Sequence, residues 1–183
     1  MRSERSSSVY FWGSTAEERQ APFPCDRHVP EGGEALFRAV DVEAPPQILF
    51  RWLCQLKTAP YSYDWIDNFG RQSPRRLIPG IERLEVGQYA MTYFEIVDFS
   101  ENQHLTLRLT NPGTAIWFGQ LAVSYVIKPR GEEGSRLLVK LLVRYPRAPL
   151  GWAMRAILPW GDLIMMRKQL LTLKGLAEAR APH

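Results

Sequence analysis

The segment RLLVKLLVRY, at residues 136–145, alternates between two kinds of side chain with a period of two. Leucine, valine and tyrosine recur on one side of it, and basic residues recur on the other. This alternation is typical of a β-strand that buries one face. Three earlier segments, 89–99, 103–110 and 115–128, show the same kind of pattern and are joined by short, turn-like stretches. The sequence therefore predicts an antiparallel meander, and something must cover its apolar face.

The period of the apolar residues changes after Pro159. Beyond it they recur at intervals of three and four residues, as at Met166 and Leu170, which is the spacing of one helix face. We predict a long helix from about residue 161 to residue 179 that lies across the concave face of the sheet. A shorter, separate helix is predicted before it, at residues 150–158.

The first part of the chain is less regular. Residues 1–34 are rich in Ser, Glu, Arg, Pro and Gly and show no sustained period, which predicts an extended arm. A strand is predicted at 35–44, and the two prolines after it are well placed to start a helix. A second short helix is predicted between Ser62 and Gly70, whose residue types suit a helix start and a helix end. We expect residues 35–180 to form a single domain.

The order of these elements, together with several stretches of sequence, resembles one family. FRAVDVEAPPQILFRWLCQL (37–56), YSYDWIDNFG (61–70) and MMRKQLLTLKGLAE (165–178) are similar to segments of the START-like superfamily, in its SRPBCC branch of polyketide cyclases/dehydrases and lipid-transport proteins. The resemblance implies the α+β helix-grip fold, in which a strongly curved antiparallel sheet wraps a long C-terminal helix and leaves a cavity. It implies no single reaction, because carriers, receptors and enzymes share this fold.

The predicted inner face of the sheet is rich in long apolar and aromatic side chains. In a helix-grip fold such a face lines the cavity, so we predict a largely apolar binding site there. Its residues are Leu105, Leu107, Trp117, Val123, Tyr125, Val139 and Leu141. This lining favours a small apolar ligand that is lipid-, sterol- or polyketide-like.

Aromatic residues are also concentrated between residues 44 and 70. In the fold that the sequence resembles, two short helices lie beside the cavity mouth, so Trp52, Tyr63 and Trp65 are candidates for its rim. Such rings cover apolar ligand surface, and each offers one polar edge. The alternative is that the same rings pack the helices onto the sheet.

No sequence motif for nucleophilic or metal catalysis is present, and we predict neither a metal nor a cofactor. Proton transfer stays open, because cyclisation or dehydration of a polyketide needs only a shaped cavity and one or two acid/base groups. The candidates are Glu95, Tyr93 and Arg167. Glu95 faces inward if the inner face is the one that it shares with Tyr93, and outward if the inner face is the equally apolar opposite one. The alternation leaves both orientations open.

Composition and charge argue against other classes of function. The 183 residues include 23 basic and 19 acidic ones, a net charge of +4, and the basic residues are scattered. This distribution argues against nucleic-acid binding. No apolar run reaches the ~20 residues of a spanning helix, and no signal-peptide-like run opens the chain, so we expect a cytoplasmic protein. Trp152 and Trp160 flank an apolar stretch that could make weak contact with a membrane surface.

Three hypotheses about function follow from these features. The first is a module that carries or sequesters a small apolar molecule. The second is an aromatase/cyclase-like dehydratase, and the third is a lipid-transfer protein that touches membranes through the segment LGWAMRAILPW. The first is favoured, because the sequence contains no compelling acid/base pair, and whether a reaction is catalysed stays open.

Overall fold

The computed structural model describes residues 7–29, 32–63 and 72–179, in which one curved sheet forms the centre of the fold. Its strands are β1 (Phe11–Trp12), β2 (Glu34–Val42), β3 (Tyr89–Ala90), β4 (Phe94–Ser100), β5 (His104–Leu109), β6 (Gln120–Arg130) and β7 (Gly134–Arg144). The order across the sheet is β1-β2-β7-β6-β5-β4-β3. β1 runs parallel to β2, and the other neighbouring pairs are antiparallel.

Most of the helices in the described part of the chain are short, and one is long. They are α1 (Ser7–Tyr10), α2 (Ala16–Gln20), α3 (Pro46–Cys54), α4 (Pro112–Phe118) and α5 (Leu150–Glu178), with 3-10 turns at Pro24–Arg27 and Gln55–Lys57. A curved antiparallel meander holding a long C-terminal helix is the helix-grip arrangement. The predicted α+β fold class is confirmed.

The two faces of the sheet are covered by different parts of the chain. Helices α3 and α5 pack on the inner face, where the main hydrophobic core lies. On the outer face, Phe23, Cys25 and Val29 form a second, smaller core with strand residues. The backbone N–H of Cys25 also donates a hydrogen bond to Ser124 Oγ on β6, at 2.8 Å. The N-terminal segment therefore contains short elements that lie against the outer face.

Helix α3 begins where the paired prolines predict. Pro46 lies in its first turn, where a missing backbone N–H costs nothing, and the helix buries Leu49, Trp52 and Leu53 against the sheet. A 3-10 turn then continues the chain to Lys57. Most of the second helix predicted in this region lies outside the described residues.

The strand predicted at 115–128 is wrong over its first five residues, because residues 115–118 belong to helix α4 and Gly119 ends that helix. Asn111 caps this helix, because its Oδ1 accepts hydrogen bonds from the backbone N–H groups of Gly113 and Thr114 at 2.9 and 3.2 Å. Gly119 ends the helix at a φ of 76°, where a Cβ atom would lie 2.1 Å from the Arg144 carbonyl oxygen. The Asn-Pro start signal and the Gly stop signal outweigh the alternating pattern, and β6 begins at Gln120.

The two C-terminal helices predicted at 150–158 and 161–179 are one continuous helix. Pro159 lies inside α5 and is buried. A proline removes one backbone hydrogen bond from a helix interior, at a cost of about 3 kcal/mol. Packing of the whole helix across the sheet offsets that cost, so the proline does not divide the helix.

Candidate functional site

A cavity of about 630 Å³ lies between the first two thirds of α5 and the sheet. This volume falls within the range of about 300–1,000 Å³ that is usual for small-molecule sites. The lining residues come from the loop after α3, from β4–β7, from α4 and from α5. They are Pro60, Ser62, Met91, Tyr93, Phe94, Leu109, Thr114, Phe118, Leu121, Val123, Tyr125, Leu141, Met154, Ile157, Leu158, Gly161, Asp162, Met165, Met166 and Gln169.

Methionine is the residue type that distinguishes this lining. Every methionine of the chain except Met1 contributes to it. The methionine side chain is unbranched and polarizable, so it adapts to irregular shapes more readily than leucine or valine does. A wall of this kind can close around ligands of different outlines.

A chain of hydrogen bonds crosses one side of the cavity. The hydroxyl of Tyr125 on β6 donates to Gln169 Oε1 on α5 at 2.7 Å, and Gln169 Nε2 donates to the carbonyl oxygen of Pro60 at 2.5 Å. Burial is the main cause that raises the pKa of Tyr125, and the nearby carboxylate of Asp162 adds to it. The Tyr125 hydroxyl is therefore neutral at physiological pH, and it joins the sheet to the helix.

The charged group of the described lining is Asp162, near the middle of α5. Its Oδ2 lies 2.7 Å from Nη2 of Arg38, which extends from β2, and the two side chains are 7% and 1% exposed. Burial raises the pKa of Asp162 to about 6, and the ion pair with Arg38 partly opposes that rise. Burial likewise lowers the pKa of Arg38, and Asp162 opposes that change. Arg38 and Asp162 thus form a buried ion pair at the cavity wall, in which each charge neutralises the other.

Solved structures identify the architecture around this cavity. A START superfamily protein from Mycobacterium smegmatis aligns with a TM-score of 0.51 at 14% identity, over 81% of this chain and 99% of that one. The chain has a START-like fold. Ara h 8.0201 aligns with a TM-score of 0.52 at 13% identity, over 81% and 100% of the two chains. A protein from Thermobifida fusca gives 0.51 at 9%, over 81% and 97%. No protein-family model and no curated protein matches the sequence.

Within this START-like fold, the predicted inner-face residues divide into two groups. Val123, Tyr125 and Leu141 line the cavity. Leu105, Leu107 and Val139 are equally buried but belong to the packed core and are absent from the cavity lining. Helix α3 packs against β5, β6 and β7, and it fills part of the space between the sheet and α5. The alternation gave the correct face for all six residues, but it carries no information about which part of that face is filled.

The remaining predicted residue of that set, Trp117, is wrong as a cavity-lining residue. It lies on α4, not on a strand, and is 60% exposed. Its neighbour Phe118 lines the cavity instead. The error follows directly from the strand that was predicted where α4 forms, since helical geometry turns Trp117 outward.

The three predicted rim residues have three different locations. Trp52 is fully buried, and its ring packs edge-on against that of Tyr61 at a centroid distance of 6.3 Å, so it is part of the core and not of a rim. Tyr63 is half-buried and is not a lining residue, although Ser62 beside it is. Trp65 lies outside the described residues. For Trp52 the alternative interpretation, packing of the helix onto the sheet, describes the structure.

Of the three acid/base candidates, Tyr93 alone lines the cavity. Phe94 of β4 lines the cavity and Ile96 is fully buried in the core, so the intervening Glu95 is on the opposite face of the strand. Arg167 is exposed, and its guanidinium carbon lies 5.7 Å from the centroid of the Trp12 ring. The outward orientation of Glu95 is therefore the one that the structure adopts.

Asp162 and Gln169 are polar lining residues on α5 that the sequence patterns did not identify. A signal for them exists, because Asp162, Met166, Gln169 and Leu173 follow one another at intervals of four, three and four. These positions share one helix face with the apolar stripe. Polar residues within a buried stripe are uncommon and need hydrogen-bond partners, so such positions are candidates for a functional site.

The described residues give no support for two other kinds of site. None of the helices in this part of the chain has the length and hydropathy that crossing a bilayer requires. Across the same residues, no group of three or more His, Cys, Asp and Glu side chains is placed to hold a metal ion.

Proposed function

We propose that the protein binds a small apolar molecule in the cavity between α5 and the sheet. The observation that carries this proposal is the lining itself: a space of about 630 Å³ with walls mainly of leucine, isoleucine, valine, phenylalanine and methionine. Protein interiors are normally packed without voids of this size. A large apolar void with a few convergent polar groups is the usual form of a ligand site.

The dehydratase hypothesis receives less support from the geometry. Glu95 and Arg167 do not line the cavity, so Tyr93 is the remaining member of the predicted acid/base set. The other hydroxyl deep in the cavity, that of Tyr125, is already engaged with Gln169. No histidine or cysteine belongs to the described lining. Binding is therefore the simpler function for these residues.

The experiment is a titration of the purified protein with Nile red, a neutral apolar dye, followed by native mass spectrometry to detect any retained molecule. Val123→Phe places a phenyl ring in the cavity and should weaken dye binding severalfold. Val126→Phe is the matched control, since Val126 is on the same strand but packs on the outer face of the sheet. Equal dye binding by both variants would exclude the cavity as the binding site.

A second candidate function, contact with a membrane surface, is favoured by the exposed apolar residues on α4 and the first half of α5. These are Ile116, Trp117, Phe118, Trp152, Ile157, Trp160 and Ile164, and we call them the apolar surface. A concentration of large exposed apolar residues is typical of an interaction site. Phe118 and Ile157 also line the cavity, so the cavity mouth opens onto this surface.

Basic residues near the apolar surface suggest the kind of membrane. Arg147 and Arg155 are exposed, and Arg155 lies three residues after Trp152 on α5, where it also pairs with Glu34 at 2.6 Å. Tryptophan with arginine at a helix surface is typical of interfacial membrane binding. Flotation with vesicles tests this function. Vesicles of phosphatidylcholine with phosphatidylglycerol should carry the protein upward more than phosphatidylcholine alone, and absence of binding to both would exclude membrane contact.

A further inference from the structure

Two polar side chains that reach deep into the cavity, Tyr125 and Gln169, are joined to each other. Tyr125 has one hydroxyl proton, and it is donated to Gln169 Oε1. The amide nitrogen of Gln169 donates to the carbonyl oxygen of Pro60 and contacts Met91 Sδ at 3.5 Å. What these two residues still offer to a ligand is lone pairs on oxygen, and therefore hydrogen-bond acceptors.

The charged groups at the cavity wall also offer a ligand an acceptor and no donor. Asp162 is the one charged side chain in the described lining, and no lysine, arginine or histidine accompanies it there. The compensating cation, Arg38, lies behind the carboxylate and is 1% exposed. Its guanidinium also donates to the carbonyl oxygens of Phe37 and Pro159, at 2.9 and 3.5 Å. A ligand in the cavity meets the carboxylate and not the guanidinium.

This arrangement penalises two classes of apolar ligand. A carboxylate would be buried beside Asp162 with no cation in the described lining, and the neutral hydroxyls of Tyr93, Ser62 and Thr114 do not offset the burial of a full charge. An ammonium ion would also be penalised, because the Arg38–Asp162 pair has no net charge left to compensate it. A neutral hydroxyl group avoids both penalties and can donate to Asp162 or to Tyr125.

We propose that the cavity selects uncharged apolar molecules that carry a hydroxyl group, alcohols or phenols, and excludes those that carry a free carboxylate. The ligand hydroxyl donates its proton to the acceptor oxygens at the α5 wall, and the apolar remainder lies against the methionines. This inference rests on the proposed binding function and adds the ligand class to it.

Displacement of Nile red at pH 8 by three compounds of equal chain length tests the selection. Dodecan-1-ol should displace the dye, and 1-methoxydodecane, which keeps the oxygen but lacks the donor, should bind at least about 10-fold more weakly, as expected for the loss of a hydrogen bond to a charged acceptor. Dodecanoate should be weaker than the alcohol by a similar or larger factor. If dodecanoate or the ether displaces the dye as well as the alcohol does, the selection is overturned.

Two variants locate the selection at Asp162. In Asp162→Asn the charge of Arg38 is no longer neutralised, so dodecanoate should gain affinity while the alcohol loses its advantage over the ether. Asp98→Asn is the matched control, since Asp98 is half-buried on β4, outside the lining, and pairs with His104. An unchanged order of the three compounds in Asp162→Asn would contradict the proposal.

A third variant tests the same proposal if Asp162→Asn does not fold. The double substitution Arg38→Met with Asp162→Leu removes the whole ion pair, which proteins often tolerate when apolar residues replace it. The alcohol and the ether should then bind about equally, and a retained alcohol preference would contradict the proposal. Failure of the proposed function gives a different result, because Nile red itself would then show no saturable binding to the wild-type protein.

Discussion

The two ends of helix α5 contact the same sheet but differ in what they bury. The last third buries Leu170, Leu173 and Ala177 completely, and at its edge Lys174 donates to the Asp41 carbonyl oxygen and pairs with Glu178. The first two thirds face the cavity on one side and solvent on the other. Trp152 is 70% exposed and Ile157 is 63% exposed.

The difference is explained by what lies between the helix and the sheet at each end. Helix α3 packs against α5 as well as against β5, β6 and β7. Its residues Leu49, Trp52 and Leu53 belong to the same packed core as Leu170, Leu173 and Ala177. Along the first two thirds of α5 the cavity lies between the helix and the sheet. The comparison indicates that stability and ligand binding depend mainly on different ends of one helix.

The largest expected effect is at the packed end. Leu173→Ala should lower the free energy of unfolding toward the upper part of the ~2–5 kcal/mol range for buried leucines, because its surroundings cannot collapse into the space. Urea unfolding followed by circular dichroism measures the change. A loss below about 1.5 kcal/mol would mean that the two ends of α5 do not differ in packing as the comparison requires.

The next effect is a pH dependence of the free energy of unfolding, caused by Asp162 at the cavity wall. The pKa of Asp162 is raised from 3.8 to about 6, so the folded protein keeps a proton that the unfolded chain releases between these values. Its contribution to stability is therefore fully present below about pH 4 and is lost as pH rises through about 6, by at most about 3 kcal/mol. The charged or titratable groups that influence it are Arg38, Tyr125 and Tyr145, and none of these changes protonation in that window.

Unfolding measured from pH 4 to pH 7.5 checks this expectation. The reference is the double variant Arg38→Met with Asp162→Leu, which lacks the titrating group. Relative to this reference, the wild-type protein should lose stability as the pH rises. A parallel course of the two curves would show that burial does not raise the pKa of Asp162.

A smaller loss is expected at the cavity wall. Leu141→Ala removes a side chain that already borders empty space, so fewer contacts disappear than at Leu173. The free energy of unfolding should fall by about 2 kcal/mol or less, at or below the low end of the range for buried leucines. A loss equal to that of Leu173→Ala would mean that the space beside Leu141 is filled in solution.

The sequence predicted which face of each strand and helix is buried better than it predicted which buried residues border the cavity. Periods of two and of three to four correctly placed the meander and the C-terminal helix, because side-chain direction follows directly from backbone geometry. The same periods did not separate Val123, which borders the cavity, from Val139, which is packed. That distinction depends on how much volume α3 fills, which is a property of the assembled fold.

The errors at α4 and Pro159 have a related cause. Local signals were present at both places, an Asn-Pro start for α4 and a proline inside α5, but their outcome depended on the packing around them. Asn111 caps a helix because the chain must turn toward β6, and Pro159 is accepted because α5 spans the sheet. Propensity is a weak prior that tertiary contacts override.

The smallest effect on stability, and the sharpest test of the cavity end, concerns the apolar surface. Trp152→Ser with Trp160→Ser should change the free energy of unfolding by no more than about 0.5 kcal/mol, because both side chains are exposed. The same variant should lose most of its binding to vesicles of phosphatidylcholine with phosphatidylglycerol, since interfacial binding scales with the apolar area that enters the headgroup region. Tyr89→Ser is the matched control, an equally exposed aromatic residue on β3, outside the apolar surface. If the double variant binds vesicles as well as the wild-type protein, the exposed tryptophans serve another interaction, and sedimentation velocity would then show whether they join two copies of the chain.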